Sequence, residues 1–469
     1  MKSPFQRQRL RAVLSRLPVV STLLELDAGP RTFLYFITFN LVSWQCVVGP
    51  TLVLFGRKIG MPASWIGLLI SFMPLSMILV LLTGLLVTRY GPKRVMLVAW
   101  FMRNALACSV FAMPWAMTEF GPRSAWYVLM TATLGFCLMR AIGAGGWMPW
   151  LHEIVPEKQR GSYFSAESAV SNLLNVVVVL IQGRILQGDP GVWRFLFVYG
   201  IGIASGFASL LMMSRVPGGH AQPVAARAPG GAYGQHLGAL KDKPYMAFLL
   251  FAALCFSSLA WYGSAVVLYM RDALLVSPGV ILYLTAGCSL AVMLTIGFWG
   301  RYADHAGSPH AMALSLTGAG LMALGCCLVL PHMKGMLVAL AVVFVVSGIF
   351  GSAFWATINR AMLGYLNPAE RIGYANLWTV FTSLSAITPI IAGYVIEKLG
   401  MWGYRACFLL GAFSSFVCAV GSLYLVRKEK EFEFPWKQCP FYELPFRFVF
   451  SVARISVGLH KSNRTGHQE

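Results

Sequence analysis

The chain has 469 residues, 57% of them hydrophobic and only 12% charged, with a mean hydropathy of +0.67. An ordinary soluble domain carries about twice that charged fraction, so composition excludes a set of soluble globular domains. The formal net charge is +20, but the basic residues lie in connections between apolar runs, which argues against a nucleic-acid binder.

Residues 1–31 form a basic N-terminal segment with Arg7, Arg9, Arg11 and Arg16. No clean apolar stretch precedes Glu25 and Asp27, so the segment does not read as a cleavable signal peptide. Leu10, Val13, Leu14 and Leu17 follow helical spacing, as expected of a segment lying on the inner membrane surface.

From there about twelve apolar runs follow, each long enough to cross roughly 30 Å of hydrocarbon. They fall near 32–55, 64–88, 93–117, 124–151, 161–186, 192–214, 245–270, 278–299, 309–331, 335–362, 372–396 and 403–426. The runs are continuous rather than short and alternating, which selects helices over a barrel. The predicted fold is therefore an all-α membrane protein of twelve transmembrane helices.

The second half repeats the first. GLLVTRYGPKR (84–94) has a counterpart in GRYADHAG (300–307), with Gly84 and Gly300, and Gly91 and Gly307, each 216 residues apart. Arg160, Tyr163, Arg194 and Gly200 recur 211 residues on as Arg371, Tyr374, Arg405 and Gly411. Two pseudo-symmetric six-helix bundles follow, over 32–215 and 245–426. The Gly-, Pro- and Ala-rich stretch 216–244 is the linker between them. A duplicated helical membrane protein places a solute site between its halves.

The tail, 427–469, carries Arg447, Ser451, Arg454, Gly458 and Lys461 on one helical stripe, with apolar residues between them. That is a basic amphipathic helix suited to anionic lipids of the inner leaflet. With both termini cytoplasmic, Lys and Arg divide into 25 inside, 9 outside and 3 within spans, the asymmetry expected of a plasma (inner) membrane protein. The Asn463–Thr465 sequon then falls on the cytoplasmic side and is discounted. Nine of the ten cysteines lie inside apolar runs and none forms a C-x-x-C pair, so they read as packing residues rather than a disulfide scaffold or metal site. No P-loop is present. No cofactor is expected, nor an enzyme, and a monomer is the expected state.

Ionisable residues at membrane depth mark function. The candidates are Arg103 in the third run, Arg140 in the fourth, Glu167 in the fifth and Arg360 near the inner end of the tenth. Glu167 is the one carboxylate well inside a run, and so the candidate proton carrier, with Arg140 and Arg103 as partners. The competing reading pairs Arg103 with Glu167 as a structural tie. Arg140 without a fixed acid would indicate an organic anion as solute, and Arg140 paired with Glu167 a neutral solute with proton coupling. Polar and aromatic residues suited to solute contact are Asn40, Trp44 and Gln45 (with a kink at Pro50), Trp261 and Tyr262, Trp355 and Asn359, and Asn376. Trp150 reads as an interfacial anchor.

The repeated loops, the linker and the twelve runs together resemble the major facilitator superfamily over about residues 32–426. That superfamily carries G-x-x-x-D-R-x-G-x-K/R-K/R between helices 2 and 3, weakly repeated between helices 8 and 9. Gly84, Arg89, Gly91, Lys93 and Arg94 fit the first copy, with Thr88 at the acidic position; Gly300, Asp304 and Gly307 fit the second, with His305 where Arg is usual. The resemblance implies that helices 1, 4, 7 and 10 line the cavity, which favours Arg140 as a solute contact. It implies further that Asp304 latches onto the start of helix 5 near Arg160, and Thr88, more weakly, onto the start of helix 11 near Arg371. MRAIGAGG (139–146) is similar to the Arg and Gly stretch of drug–proton antiporters, but the fifth run lacks their Gly-Pro motif. The expected function is secondary active transport of a small organic solute by alternating access, with or without proton coupling. The alternative is a transporter-shaped sensor or scaffold that binds a ligand without moving it.

Overall fold

Twelve helices long and apolar enough to span a membrane make up the computed structural model, which describes residues 26–156, 160–220, 238–366 and 371–427. They are α1 (Ala28–Lys58), α2 (Ala63–Gly84), α3 (Pro92–Phe120), α4 (Ser124–Ala144), α5 (Ala166–Ile185) and α6 (Val192–Ser214). The second half comprises α7 (Lys243–Asp272), α8 (Pro278–Asp304), α9 (Ser308–Leu328), α10 (Met336–Tyr365), α11 (Gly373–Leu399) and α12 (Met401–Leu425). Helix is the structure that satisfies every backbone N–H and C=O within its own segment, which hydrocarbon requires. No strand occurs among the described residues. The basic helix of the tail and the N-terminal segment 1–25 lie outside the described residues.

An even number of crossings puts residues 26 and 427 on one face, here the terminal face; the other is the far face. Exposed Trp115, Tyr127, Trp193 and Trp402 sit towards the far face, where amphipathic rings favour the membrane boundary.

The packing differs between the two faces. Towards the far face one hydrophobic core runs through both halves, joining Phe55, Phe195 and Tyr199 with Tyr269, Phe344, Tyr404 and Phe408. Towards the terminal face there are two separate cores. One, around Phe33, Phe36, Trp100, Trp150 and Tyr163, belongs to the first half; the other, around Tyr245, Phe248, Phe354 and Tyr374, belongs to the second. The halves are thus joined at the far face and forked at the terminal face.

The duplicated loops keep the turn that their glycines allow. Gly91 and Gly307 have φ of +81° and +78°, a region that only glycine enters without strain, and each links two antiparallel spans. Trp150 is a correction to its reading as an interfacial anchor. It lies on a short helix (Trp147–Ile154) after α4, is fully buried, and donates from Nε1 to Pro217 O at 2.9 Å. Lys93 holds the same segment: its backbone N–H donates to Gly219 O at 3.1 Å and its ammonium to Val216 O. Both oxygens of Glu153 accept from Gly219 N–H at 3.0 Å. The loop motif of the first half therefore pins the start of the linker.

Candidate functional site

At the fork, a cavity of about 450 Å³ is lined from both halves. Its walls include Trp44, Gln45 and Val48 of α1, Met73 of α2, Cys137 of α4 and Asn175 of α5. Gly263 of α7, Thr285 and Ser289 of α8 and Phe344 of α10 complete it. Among the described residues its polar side chains are few and none is a carboxylate, so it suits a solute with a small number of hydrogen-bonding groups.

The first wall is made by a break in α1. The helix stops at Val47 and restarts at Pro50, with Val48, Gly49 and Pro50 all facing the cavity. Pro50 has no N–H to continue the ladder, and a Cβ on Gly49 would lie 2.3 Å from Gln45 O, so the turn admits no side chain. Irregular backbone at membrane depth is tolerated where it lines a cavity, and broken spans mark solute sites.

Arg140 stands beside this wall. Its guanidinium carbon lies 4.3 Å from the ring centroid of Trp44, and its Nη1 is 3.6 Å from Sδ of both Met73 and Met77. Arg103 is fully buried: Nη1 donates to Asn40 Oδ1 at 2.8 Å and Nη2 to Asn104 Oδ1 at 3.4 Å. The rings of Trp100 and Phe136 flank it at 4.9 and 4.6 Å.

The expected network with Glu167 does not form. Arg103 faces α1 and α4, whereas Glu167 lies one turn from Tyr163 on α5, and its Oε2 is buried with no hydrogen-bond partner. Among the described residues it makes no ion pair, so the structural tie between Arg103 and Glu167 is withdrawn.

Of the predicted solute contacts, Trp44 and Gln45 line the cavity and Arg140 packs on Trp44. Asn40 is engaged by Arg103 and by Trp100 Nε1 at 2.9 Å. Tyr262 shares a hydrogen bond with the Ser347 hydroxyl and packs with Trp261 against the shared core. Trp355 and Asn359 fall on the helical stripe of Phe344, towards the terminal face; Trp355 is 55% exposed and lies edge-on to Phe256. Asn376 is half-buried on α11 and off the cavity wall.

Asn175, Thr285 and Ser289 escaped sequence reading, since attention to spans 1, 4, 7 and 10 drew it away from 5 and 8. Asn175 Nδ2 donates to Ser289 Oγ at 3.0 Å across the halves. The amide of Asn175, with Asn172 and Gln182 in the same apolar stretch of α5, was the available signal.

The far face is closed by polar ties between the halves. Arg57 forms a two-pronged pair with Asp272, Nε to Oδ1 at 3.0 Å and Nη2 to Oδ2 at 2.8 Å, and Tyr404 Oη donates to Asp272 Oδ2 at 2.8 Å. Glu397 accepts from Ser64 N–H at 3.1 Å, a carboxylate of α11 at the start of α2. Asp189 sits 3.0 Å from Lys58 and 3.7 Å from Arg271. Hydrogen bonding and charge from Lys58 hold the Asp189 carboxyl below the usual carboxylate range. A depressed carboxyl stabilises above its unfolded pKa and loses that contribution as pH falls through the folded one. The difference in thermal stability between wild type and Asp189→Asn should therefore hold steady from neutral pH down to about 5 and begin to fall only below about 4, disappearing as pH passes below the depressed folded pKa. Loss of the difference already near neutral pH would assign it to another group.

The conformational residues are placed differently from expectation. Asp304 pairs with Arg360 of its own half rather than with the start of α5, because the terminal ends are forked and α10 lies nearer. The Arg160 and Arg371 side chains lie outside the described ones. Thr88 donates to Gly84 O at 3.0 Å in the helical segment Val80–Tyr90 that continues α2, Arg89 packs on Tyr90, and Arg94 is exposed.

Residues 250–457 match the family model of the Major Facilitator Superfamily. The fold is similar to that in the "Crystal structure of nucleoside transporter NupG (D323A mutant)", with TM-score 0.64 and 15% identity, covering 84% of this chain and 98% of that one. It is likewise similar to "Crystal structure of nucleoside transporter NupG", with TM-score 0.62 and 16% identity over 85% and 99%. No curated protein matches the chain. Over residues 250–457 the chain is thus similar in sequence to the Major Facilitator Superfamily, and it shares the fold of the two solved structures; its twelve helices long and apolar enough to cross a membrane make it an integral multi-pass membrane protein.

Proposed function

We propose that this protein is a secondary active transporter that moves a small organic solute by alternating access, with its two units at 32–215 and 245–426. The observation that carries the reading is the change from one shared core at the far face to two cores at the terminal face, with the cavity at the fork. Such a molecule exposes its site to one side at a time if the halves rock about it. The lysine and arginine asymmetry supports a terminal face on the cytoplasmic side of a plasma membrane, and on this reading the state described is the inward-facing one.

Solute contacts are assigned to Trp44, Gln45 and Arg140 on one side and to Thr285, Ser289, Trp355 and Asn359 on the other. Asp304 and the Gly84–Arg94 loop, with Arg160 and Arg371, would re-pair across the halves when the terminal face closes. Counterflow in proteoliposomes tests transport: exchange of labelled solute supports it, while binding without exchange makes the protein a sensor or scaffold. Uridine belongs in the panel because the similar structures are of nucleoside transporters.

Glu167 is the proton carrier in this reading, being a buried carboxyl with an unpartnered oxygen. Glu167→Gln should flatten the pH dependence of uptake while leaving counterflow intact; an unchanged pH profile removes Glu167 from that role.

A further inference from the structure

Two guanidinium groups lie inside the first half with no carboxylate on either. Arg103 has only amide oxygens and ring faces as partners, and its Nε has none. Arg140 has the face of Trp44 and two thioether sulfurs, which are weak acceptors. Among the described residues every ion pair involves other cations: Arg57, Lys58, Arg271 and Arg360. An uncompensated charge away from water is costly, and neutral acceptors and cation–π contacts offset only part of the cost. This part of the protein is short of negative charge.

The structure also says where that charge can enter. Arg140 is mostly buried, one layer behind the cavity wall, and the residues that hold it, Trp44 and Met73, line the cavity. The break in α1 turns the start of the nine-residue helix Pro50–Lys58 to the same space, adding partial positive charge. Gln45, Asn175, Thr285 and Ser289 supply neutral hydrogen-bonding groups beyond it.

On the transporter reading above, we infer that the solute is a small organic carboxylate whose head is taken by the free N–H groups of Arg140 and whose body lies against Trp44 and Phe344. A planar guanidinium fork matches a carboxylate edge. A cation would meet Arg140 with no acid to offset it, and a neutral solute would leave both arginines uncompensated.

The test measures thermal stabilisation of the purified full-length protein by gluconate and benzoate, each against a neutral counterpart of similar size, sorbitol and benzamide, with uridine alongside. Either carboxylate should stabilise wild type where its neutral counterpart does not. Arg140→Gln should weaken that binding roughly 10- to 100-fold. Arg140→Lys keeps the charge but not the fork and should fall between the two, which guards against a Gln variant that misfolds. Stabilisation by sorbitol, benzamide or uridine that survives Arg140→Gln overturns the inference, as does no stabilisation by either carboxylate at tens of millimolar. The transport reading fails separately: carboxylate binding that depends on Arg140, with no counterflow, leaves the anion site standing and removes the transporter.

Discussion

Gly67→Val is expected to abolish transport while leaving each six-helix half folded. A Cβ at Gly67 would lie 2.2 Å from Pro389 O, and one at Gly393 would lie 2.3 Å from Ala63 O. Both obstacles are backbone, so no flexible side chain can give way. The second crossing is built the same way: a Cβ at Gly279 would meet Gly183 O at 2.7 Å, and one at Gly183 would meet the Tyr283 ring at 2.7 Å. Gly67 and Gly279 are 212 residues apart, and Gly183 and Gly393 are 210 apart, so the duplication extends to the crossings that close the far face. Because α2 meets α11 and α5 meets α8 across the halves, a side chain here forces the halves apart and leaves each half's own core alone. Overpacking costs about 1–3 kcal/mol, more against rigid backbone, enough to move a two-state equilibrium by roughly 5- to 150-fold. With Cys137 as the single cysteine, an impermeant maleimide added at the far face should label Gly67→Val quickly and wild type slowly. Wild-type labelling together with normal counterflow would sink the claim that these crossings gate the site.

Asp272→Asn is the second large effect, acting on the same equilibrium through charge. Asp272 receives two N–H bonds from Arg57 and one O–H bond from Tyr404, with about a quarter of each charged side chain exposed. Isolated surface pairs contribute little, but a two-pronged, partly buried pair is the stronger kind. Asparagine removes the charge and leaves Arg57 without its counterion. The closed far face should lose about 1–3 kcal/mol relative to the open one. Labelling of Cys137 from the far face should rise several-fold, and exchanging the charges in Arg57→Asp with Asp272→Arg should restore part of the closure. If Asp272→Asn labels like wild type, the pair is a passive surface contact.

Much of the fold was legible in the sequence because hydrocarbon dictates it. Twelve apolar runs had to become twelve helices, since no other open structure satisfies their backbone groups. The repeated loops showed the duplication, and Gly91 and Gly307 adopt the turn their identity implied. Within the site, Trp44, Gln45 and Arg140 were legible as polar or aromatic residues in the middle of apolar spans. The partners of those residues were not. Whether Arg103 meets Glu167 or Asn40 depends on the rotation of α3 and α5 about their axes, which a run apolar on most sides leaves unspecified. Asp304 was expected to reach the other half, yet it pairs with Arg360 because the terminal ends are forked. Trp150 looked like a membrane anchor until the linker was seen to pack over it.

The sequence by itself determined a duplicated twelve-span membrane protein, because span length, hydropathy and loop glycines are local properties set by the bilayer and the backbone. Only the tertiary structure decided which face is closed, that α5 and α8 contribute to the cavity, and that Arg140 stands beside it on Trp44 with no acid partner. Those facts rest on contacts between residues far apart in the chain, such as Trp44 with Arg140, Asn175 with Ser289 and Arg57 with Asp272, and helix packing alone fixes such contacts.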